Sequence, residues 1–324
     1  MKVLYFLRNH RAGISINRVS KTVSRLNKDK EELYLPDSNP TFKAIIKNIF
    51  FVCRHRDKAA IHQIVGGEHY AVLGLLGYRS ILTVHDTVSI DFGNHSFWKK
   101  YLLKWLWYKI PLYFATRIVC ISNETRKSIG RFTNRQDVLV IHNAIDPSLI
   151  RAPYVGHDIP VILMIGTNPN KNLFRTFEAL KGLRCRLSII GELTDEQLES
   201  LRLNQLQYEN KWGLSDEEIM NEYRQCDIVS FISLFEGFGM IVVEANQVGR
   251  PVICSNIPVL QEIAGDSALF VNPTNVGDIR GGFQKILSDT DLRQSLIHKG
   301  FENAKRFDAE IISKQWKDLY NSMG

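Results

Sequence analysis

The sequence contains no apolar run long enough to cross a membrane and no cysteine pair spaced for metal binding. A membrane-spanning helix needs about 20 consecutive apolar residues, and no comparable run occurs among the 324 residues. The five cysteines are dispersed without a C-x-x-C pair, which predicts reduced thiols and argues against a disulfide framework or a zinc site. The N-terminal MKVLYFLR reaches arginine after five apolar residues, too few for the core of a signal peptide. We therefore expect a cytoplasmic protein.

Low-complexity stretches and short internal repeats are also absent, which argues against disorder and against a solenoid. The length favours two domains. The net charge of +7 is unevenly distributed, because residues 1–157 contain 24 Lys/Arg and 11 Asp/Glu whereas the remainder contains 17 and 23. The basic first half predicts an anionic partner, which phosphate, a membrane surface or nucleic acid would provide. No helix-turn-helix, zinc or RNA-binding signature accompanies the charge, so we expect no nucleic-acid partner.

Short apolar runs alternate with helical patterns along the whole chain, as in KVLYFL (2–7), PVILMIG (160–166) and DIVSFIS (227–233). Near-continuous apolar strands separated by helices indicate parallel sheets covered on both faces. The Pro- and Asp-containing segment 145–160 interrupts the alternation. The pattern predicts an α/β protein of two Rossmann-like, doubly wound domains that face each other across a cleft. We place the first at 1–152, with the C-terminal helix 308–324 packing back on it, and the second at 156–307.

The stretch LFEGFGMIVVEA (234–245) places two glutamates around a glycine turn that leads from a strand into a helix. The N-terminus of such a helix offers unpaired N–H groups and a partial positive charge, and Gly237 and Gly239 would allow a phosphate to approach the backbone. Glu244, inside the helix, can accept hydrogen bonds from both hydroxyls of a ribose. Glu236 can meet the group attached to the phosphate. The alternative interpretation is a capped core helix with two surface glutamates.

This stretch resembles the signature of the retaining glycosyltransferases of family 4, which have the GT-B fold and an E-x7-E motif. Glu236 and Glu244 match that motif. Other segments resemble family landmarks in the same order along the chain: AGISINR (12–18), TVHD (83–86), VIHNAID (140–146), MIGTNPNKN (164–172) and PVLQEIAGDSALFVNP (258–273). The resemblance is strong over 160–275 and looser over 1–80.

The resemblance implies a nucleotide-diphosphate sugar as donor and retention of anomeric configuration. We also expect neither a cofactor nor a required metal ion. The resemblance further implies that Lys171 neutralises the diphosphate, that Glu236 binds the transferred sugar and that Glu244 binds the ribose. His85 would line the donor-sugar pocket, and it forms the catalytic set with Glu236 and Lys171. The implied donor-binding residues are Gly13, Thr167, Lys171, Gly237, Phe238, Gly239, Met240, Ile241 and Glu244.

One feature departs from the family pattern. Many members carry an arginine shortly before the lysine, whereas Thr167 and Asn170 offer only neutral hydrogen bonds here. Arg11 or Arg18 from the basic half is a candidate for the second cation. Other functions stay open at this point: a nucleotide-sugar epimerase of the same fold, a phosphorylase, a basic transferase that binds or modifies nucleic acid, or a non-catalytic sugar-binding partner.

The segment SFWKKYLLKWLWYKIPLYFATR (96–117) interleaves aromatic and basic residues. Aromatic rings prefer the headgroup level of a bilayer, and lysines attract anionic lipid. The alternative is a core helix whose lysines form a solvated edge. We favour an anionic membrane surface, which predicts a peripheral protein on the inner face of the cell membrane and a glycan or lipid-linked acceptor in surface polysaccharide or lipopolysaccharide synthesis. The residues assigned to this membrane and acceptor side are Trp98, Lys99, Lys100, Lys104, Trp105 and Lys109.

Overall fold

The computed structural model describes residues 2–9, 14–25, 27–39, 41–87, 90, 101–154 and 156–324, with the side chains of residues 14 and 15 excepted. The contacts between Cα atoms divide the chain into two compact units. The first contains Met1–Asp146 and Phe307–Gly324, and the second contains Pro147–Arg306.

The first unit is built on a six-stranded sheet in the order β2-β1-β3-β4-β5-β6, and every neighbouring pair is parallel. The central strands are fully buried, as expected for a parallel sheet with both faces covered. The strands are β1 (Val3–Leu7), β2 (Lys30–Tyr34), β3 (Ile61–Ile64), β4 (Ser80–Val84), β5 (Arg117–Cys120) and β6 (Val138–Val140).

Helices cover both faces of this sheet, and the alternation of side chains along β1 separates the two cores. Val3, Tyr5 and Leu7 pack with helix α1 (Ile14–Ser24) and the C-terminal helix α12 (Ala309–Asn321). The remaining side chains of β1 pack with residues of α2, α3, α4 and a 3₁₀ helix. Those elements are α2 (Phe42–His55), the 3₁₀ helix His69–Leu75, a π-helical segment Lys104–Lys109 that continues into α3 (Ile110–Phe114), and α4 (Asn123–Ile129).

A buried hydrogen-bond network attaches α12 to the strands of the first unit. The Tyr320 hydroxyl donates to Gln63 Oε1 at 2.7 Å, and Gln63 Nε2 donates to Thr83 Oγ1 at 2.9 Å. The hydroxyls of Tyr5 and Tyr320 lie 3.0 Å apart. Because buried polar groups need partners, this network selects one position of the helix on the sheet.

The second unit repeats the architecture with a parallel sheet in the order β12-β11-β10-β7-β8-β9. Its strands are β7 (Val161–Ile165), β8 (Arg186–Ile190), β9 (Gln207–Lys211), β10 (Ile228–Phe231), β11 (Val252–Ser255) and β12 (Ala268–Val271). Its helices are α5 (Leu173–Leu180), α6 (Asp195–Leu203), α7 (Asp216–Gln225), α8 (Met240–Val248), α9 (Pro258–Ala264), α10 (Val276–Ser288) and α11 (Thr290–Ala304). The two parallel α/β sheets confirm the predicted fold class.

Candidate functional site

The loop after β7 brings Lys171 to the carboxyl end of the second sheet. Gly166 leaves the strand with φ +92°, and a Cβ atom there would lie 2.9 Å from Lys171 Cε, so glycine leaves room for the lysine stem. Lys171 ends a short 3₁₀ helix, Pro169–Lys171, and Asn172 follows in the left-handed region with φ 58° before α5 begins. The loop therefore turns the lysine back over the strand ends, where ligands bind in open α/β sheets.

Lys171 and Glu236 form a close ion pair at this edge. Lys171 Nζ lies 2.6 Å from Glu236 Oε1, and their side chains are only 17% and 15% exposed. The ammonium also lies 4.6 Å from the centre of the Phe231 ring, which attracts a cation. Two residues that are 65 positions apart in sequence thus meet because β7 and β10 are neighbours in the sheet.

Asn170 ties the two site loops together. Its carbonyl accepts a hydrogen bond from Leu234 N at 2.8 Å, and its side-chain Nδ2 donates to Phe235 O at 3.2 Å and to Glu236 Oε1 at 3.3 Å. Glu236 Oε1 thus receives both the ammonium and an amide. From the sequence, Asn170 is predicted only to lie near the diphosphate. No pattern in the sequence predicts its contact with the loop that contains Glu236.

Helix α8 begins at the same edge, directly after the glycine turn. Gly239 is its N-cap with φ +111°, and a Cβ atom there would lie 2.6 Å from Leu260 Cδ2. The backbone angle therefore favours glycine, and a side chain at this position would also have to displace the Leu260 methyl group. Met240 and Ile241 are the first residues of the helix, whose N-terminal N–H groups and dipole favour an anion. Phe238 is buried beneath the turn, beside Gly237.

Glu244 lies on α8, four residues after its first residue, and Tyr223 of α7 orients it. The Tyr223 hydroxyl donates to Glu244 Oε2 at 2.8 Å, and the tyrosine itself is buried. A carboxylate accepts several hydrogen bonds, so this contact leaves acceptor capacity on Glu244. Sequence reasoning missed Tyr223, which lies in a helix chosen only for its periodicity.

The hydroxyl and the carbonyl of Thr167 both form hydrogen bonds within the protein. Its hydroxyl donates to Glu192 O at 2.7 Å, and its carbonyl accepts from Gln197 Nε2 at 2.8 Å. A hydroxyl has one proton to donate. The predicted hydrogen bond from Thr167 to a diphosphate therefore requires the bond to Glu192 to be exchanged.

His85 follows β4 at the carboxyl edge of the sheet in the first unit. Its ring is buried, and Nε2 lies 2.7 Å from Val65 O. Because a carbonyl only accepts, Nε2 carries the proton and Nδ1 is the acceptor nitrogen. Burial lowers the pKa of His85 to about 4, and the Arg8 guanidinium contributes in the same direction. The imidazole is therefore neutral at pH 7.

A cluster that sequence reasoning missed lies at the same edge as His85. Arg8, which follows β1, donates from Nε to Glu68 Oε1 at 3.0 Å, and Glu68 is 5% exposed. His69 Nδ1 lies 2.9 Å from Trp107 O, and burial lowers the pKa of His69 to about 4. A buried carboxylate needs a partner, and Arg8 provides it.

Two family profiles match the chain, one over each half. The family described as "Glycosyltransferase Family 4" matches residues 28–149, and that described as "Glycosyl transferases group 1" matches residues 151–303. The chain is a family 4/group 1 glycosyltransferase. The segment that supplies Lys171, Glu236 and Glu244 lies entirely in the group 1 part.

Similar proteins support this assignment. "Uncharacterized glycosyltransferase MJ1178" of Methanocaldococcus jannaschii is 24% identical over 313 residues, which is 95% of this chain and 86% of that protein. "O-antigen chain mannosyltransferase B" of Escherichia coli is 32% identical over 105 residues, which is 32% of this chain and only 28% of that protein. The crystal structure of Anabaena HepE in complex with UDP and glucose has a TM-score of 0.80 at 14% identity, with coverage of 99% of this chain and 100% of that chain. The fold of the glycosyltransferase is therefore GT-B.

Four of the predicted site residues of the glycosyltransferase lie outside the described residues: Gly13, Trp98, Lys99 and Lys100. Arg11, one candidate for the second cation, lies outside them as well. Lys104, Trp105 and Lys109 are described, and Lys109 Nζ lies 4.6 Å from the centre of the Trp105 ring. Trp105 is exposed whereas the neighbouring Tyr108 is buried, so this segment has both a core side and a solvent side.

Within the part of the chain that the structure describes, no group of three or more His, Cys, Asp and Glu side chains is arranged to hold a metal ion. The sequence contains an Asp-x-Asp triplet, Asp289-Thr290-Asp291. Asp289 caps α11 by accepting a hydrogen bond from Leu292 N at 2.8 Å. None of the described helices is both long and apolar enough to cross a membrane.

Proposed function

We propose that this glycosyltransferase transfers a sugar from a nucleotide-diphosphate sugar to a glycan or lipid-linked acceptor, with retention of anomeric configuration and without a metal ion. The observation that carries the proposal is the Lys171–Glu236 pair at 2.6 Å beside the N-terminus of α8. A cation, a helix terminus and a hydroxyl-accepting carboxylate then lie at one edge of one sheet. These are the groups that a diphosphate attached to a sugar requires.

Lys171 stabilises the leaving diphosphate in this proposal. Glycosyl transfer passes through an oxocarbenium-like state while negative charge gathers on the departing phosphate. An ammonium and the first N–H groups of α8, at Met240 and Ile241, stabilise that charge more strongly in the transition state than in the ground state. The lysine and the helix terminus supply this stabilisation without a divalent ion.

The two glutamates bind hydroxyl groups on either side of the diphosphate. Glu244, held by the Tyr223 hydroxyl, accepts hydrogen bonds from the ribose. Glu236 accepts a hydrogen bond from a hydroxyl of the transferred sugar through the carboxylate that also contacts Lys171. One carboxylate that contacts both the cation and the sugar couples donor recognition to the position of the leaving group.

Retention follows from attack on the face of the sugar that the diphosphate leaves. The bond between the anomeric carbon and the phosphate oxygen breaks, the acceptor oxygen bonds to the same carbon, and the acceptor proton moves to the departing phosphate. His85, as a neutral ring, remains a member of the catalytic set in this proposal. The support for retention is the resemblance to family 4, and the support for a neutral histidine is its lowered pKa.

The acceptor proposed here is part of a surface polysaccharide or lipopolysaccharide. One similar protein is named as an O-antigen chain mannosyltransferase, and this supports a glycan acceptor. The basic first half and the exposed Trp105 beside Lys109 support a peripheral position on an anionic membrane, on the cytoplasmic face. A lipid-linked acceptor would be available at that surface.

A nucleotide-sugar panel tests the proposal. The purified full chain is mixed with UDP- and GDP-sugars, with water as the sugar acceptor, and thermal stability and the hydrolytic release of nucleoside diphosphate are measured with and without EDTA. A donor at 100 times its Kd stabilises the folded state by about 2.7 kcal/mol. We expect stabilisation by one donor class, and diphosphate release that EDTA does not abolish.

Four results would contradict parts of the proposal. If no nucleotide sugar stabilised the protein, the proposed donor site would be wrong. If EDTA abolished the release of nucleoside diphosphate, the proposal of metal independence would be wrong. Conversion of the donor sugar without transfer would instead identify an epimerase. NMR of the sugar released by hydrolysis, recorded before its anomers interconvert, tests retention, because an inverted anomeric configuration would exclude it.

A further inference from the structure

Helix α2 presents an apolar stripe to solvent. Phe42, Ile46 and Phe50 follow each other at intervals of four residues and are 76%, 39% and 66% exposed. Residues four apart lie on the same face of a helix. The opposite face packs into the core of the first unit through Ala44, Ile45, Asn48 and Val52. The helix is therefore apolar on the side that the fold does not bury.

Cations surround this stripe. Lys43 and Lys47 lie next to Phe42 and Ile46 in sequence, and Arg54 lies one turn beyond Phe50; all three are exposed. The helix FKAIIKNIFFVCRH contains no acidic residue. An exposed helix with large apolar residues on one face and lysine or arginine beside them is typical of segments that lie in a bilayer interface.

The same sheet face carries the aromatic segment that sequence analysis assigned to a membrane. Tyr70 joins the two regions, because its hydroxyl accepts from Asn48 Nδ2 of α2 at 2.9 Å and its ring centre lies 4.8 Å from that of Trp107. Beyond Trp107, α3 exposes Tyr113 and Phe114. Two neighbouring elements therefore expose large apolar side chains on the side of the sheet that α2 covers.

We propose that α2 docks the first unit onto an anionic lipid bilayer, with the stripe Phe42–Ile46–Phe50 in the interface and Lys43 and Lys47 at the lipid headgroups. The inference deepens the proposed function, on which it rests for the lipid-linked acceptor. Charge complementarity selects lipid over a second copy of the chain, because a symmetric contact through α2 would bring the lysines of one helix to a twin helix that contains no acidic residue. An anionic bilayer would pair its headgroups with the lysines and bury the apolar stripe at the same time.

Vesicle binding tests the assignment. The full chain is sedimented with vesicles of phosphatidylcholine alone and with vesicles that contain phosphatidylglycerol. The variant F42S/I46S/F50S should bind at least about a hundredfold more weakly, from roughly fivefold for each partly inserted side chain. The variant K43A/K47A should lose about 25-fold, and only on acidic vesicles, since each lysine contributes about fivefold there.

A matched control separates this surface from general hydrophobicity. Leu198 and Leu203 are exposed on α6 of the second unit, 36% and 60% respectively, and L198S/L203S should bind vesicles like the wild type. Circular dichroism and the melting temperature confirm that each variant is folded. Stabilisation by nucleotide sugars is measured separately, and it should be unchanged in the α2 variants because none of the substituted residues belongs to the proposed donor site.

Several outcomes would overturn the inference. If the wild-type protein bound acidic and neutral vesicles equally, α2 would not be a binding surface for anionic lipid. If the α2 variants bound vesicles like the wild type, the membrane-binding surface would lie elsewhere. If the wild type were a dimer that F42S/I46S/F50S dissociates, the stripe would instead bind a second copy of the chain. If the protein bound vesicles but no nucleotide sugar, the proposed function would be rejected, whereas the assignment of α2 as a lipid-binding surface would stand.

Discussion

Replacement of Lys171 by methionine tests the donor site most directly. Methionine keeps the apolar stem that Gly166 accommodates and removes only the ammonium 2.6 Å from Glu236 Oε1. The lysine side chain is largely screened from water at 17% exposure, so solvent replaces little of the lost charge. In K171M, Glu236 keeps a hydrogen bond from Asn170 Nδ2 at 3.3 Å, and the loop keeps its backbone bond between Leu234 and Asn170.

The magnitude follows from the charge that the transition state gathers. Loss of one preorganised group that stabilises a developing oxyanion costs about 2.7–4 kcal/mol, or roughly a 10²–10³-fold fall in kcat. The ground-state diphosphate also loses a cation, but α8 still faces it, so we expect KM to rise less than kcat falls. K171R should recover part of the rate, because the guanidinium is a cation with different geometry.

Steady-state release of nucleoside diphosphate, with the donor class found by the panel, measures both parameters. The matched control is K181M, at the exposed C-cap of α5, which should leave kcat and KM within about twofold of wild type. Thermal melts verify that K171M is folded. A K171M enzyme with kcat within tenfold of wild type would refute the assignment of the leaving-group site to this lysine.

Three other expectations follow from the structure. Y320F removes the hydrogen-bond donor to Gln63 Oε1 and should lower the free energy of unfolding by about 1–3 kcal/mol, measured by urea titration. The control Y208F changes an exposed side chain and should not lower it. Equal urea midpoints for the two variants would show that the buried hydrogen-bond network does not stabilise the fold. G239A forces a Cβ against Leu260 at φ +111° and should weaken nucleotide-sugar binding at least tenfold by calorimetry; unchanged affinity would show that the turn tolerates a side chain. Because folding holds the pKa of His69 and His85 near 4, below the unfolded value of about 6.5, their stabilising contribution is complete above pH 6.5 and falls toward pH 4. By pH 5 each loses about 2 kcal/mol, and a melting temperature that does not change between pH 7 and 5 would contradict this.

The apolar strands could be predicted from sequence, and the two polar edge strands β2 and β9 could not. The runs at 2–7, 160–166 and 227–233 became β1, β7 and β10, because a strand buried on both faces must be apolar along its length. The edge strands β2 and β9 read KEELY and QYENK. They are exposed or half-buried and carry charged or polar side chains, so the apolar signal is absent from these two edges, where the sheets meet water.

The same distinction applies to the site. The glycine turn, Glu236 and Glu244 carry signals in the local sequence, because a helix N-terminus and a left-handed glycine each favour a particular residue type. Lys171 could be predicted only from the resemblance to family 4. The partners of Glu236 and Glu244 carry no such signal. Tyr223 reaches Glu244 from another helix and Asn170 reaches Glu236 across two loops, and both contacts depend on which strands are neighbours.

The Lys171–Glu236 pair explains how a cation can remain at a strand edge before the donor arrives. An isolated buried ammonium would be costly, and pairing with a carboxylate offsets that cost. In the proposed donor site, an arriving diphosphate would provide a second anion for the ammonium, and the sugar would provide hydroxyl donors for the carboxylate. Both members of the pair would then exchange one partner for ligand groups of matching chemistry. A diphosphate without a sugar would pair with Lys171 but offer no sugar hydroxyl to Glu236, so we expect the pair to favour the intact donor over the product.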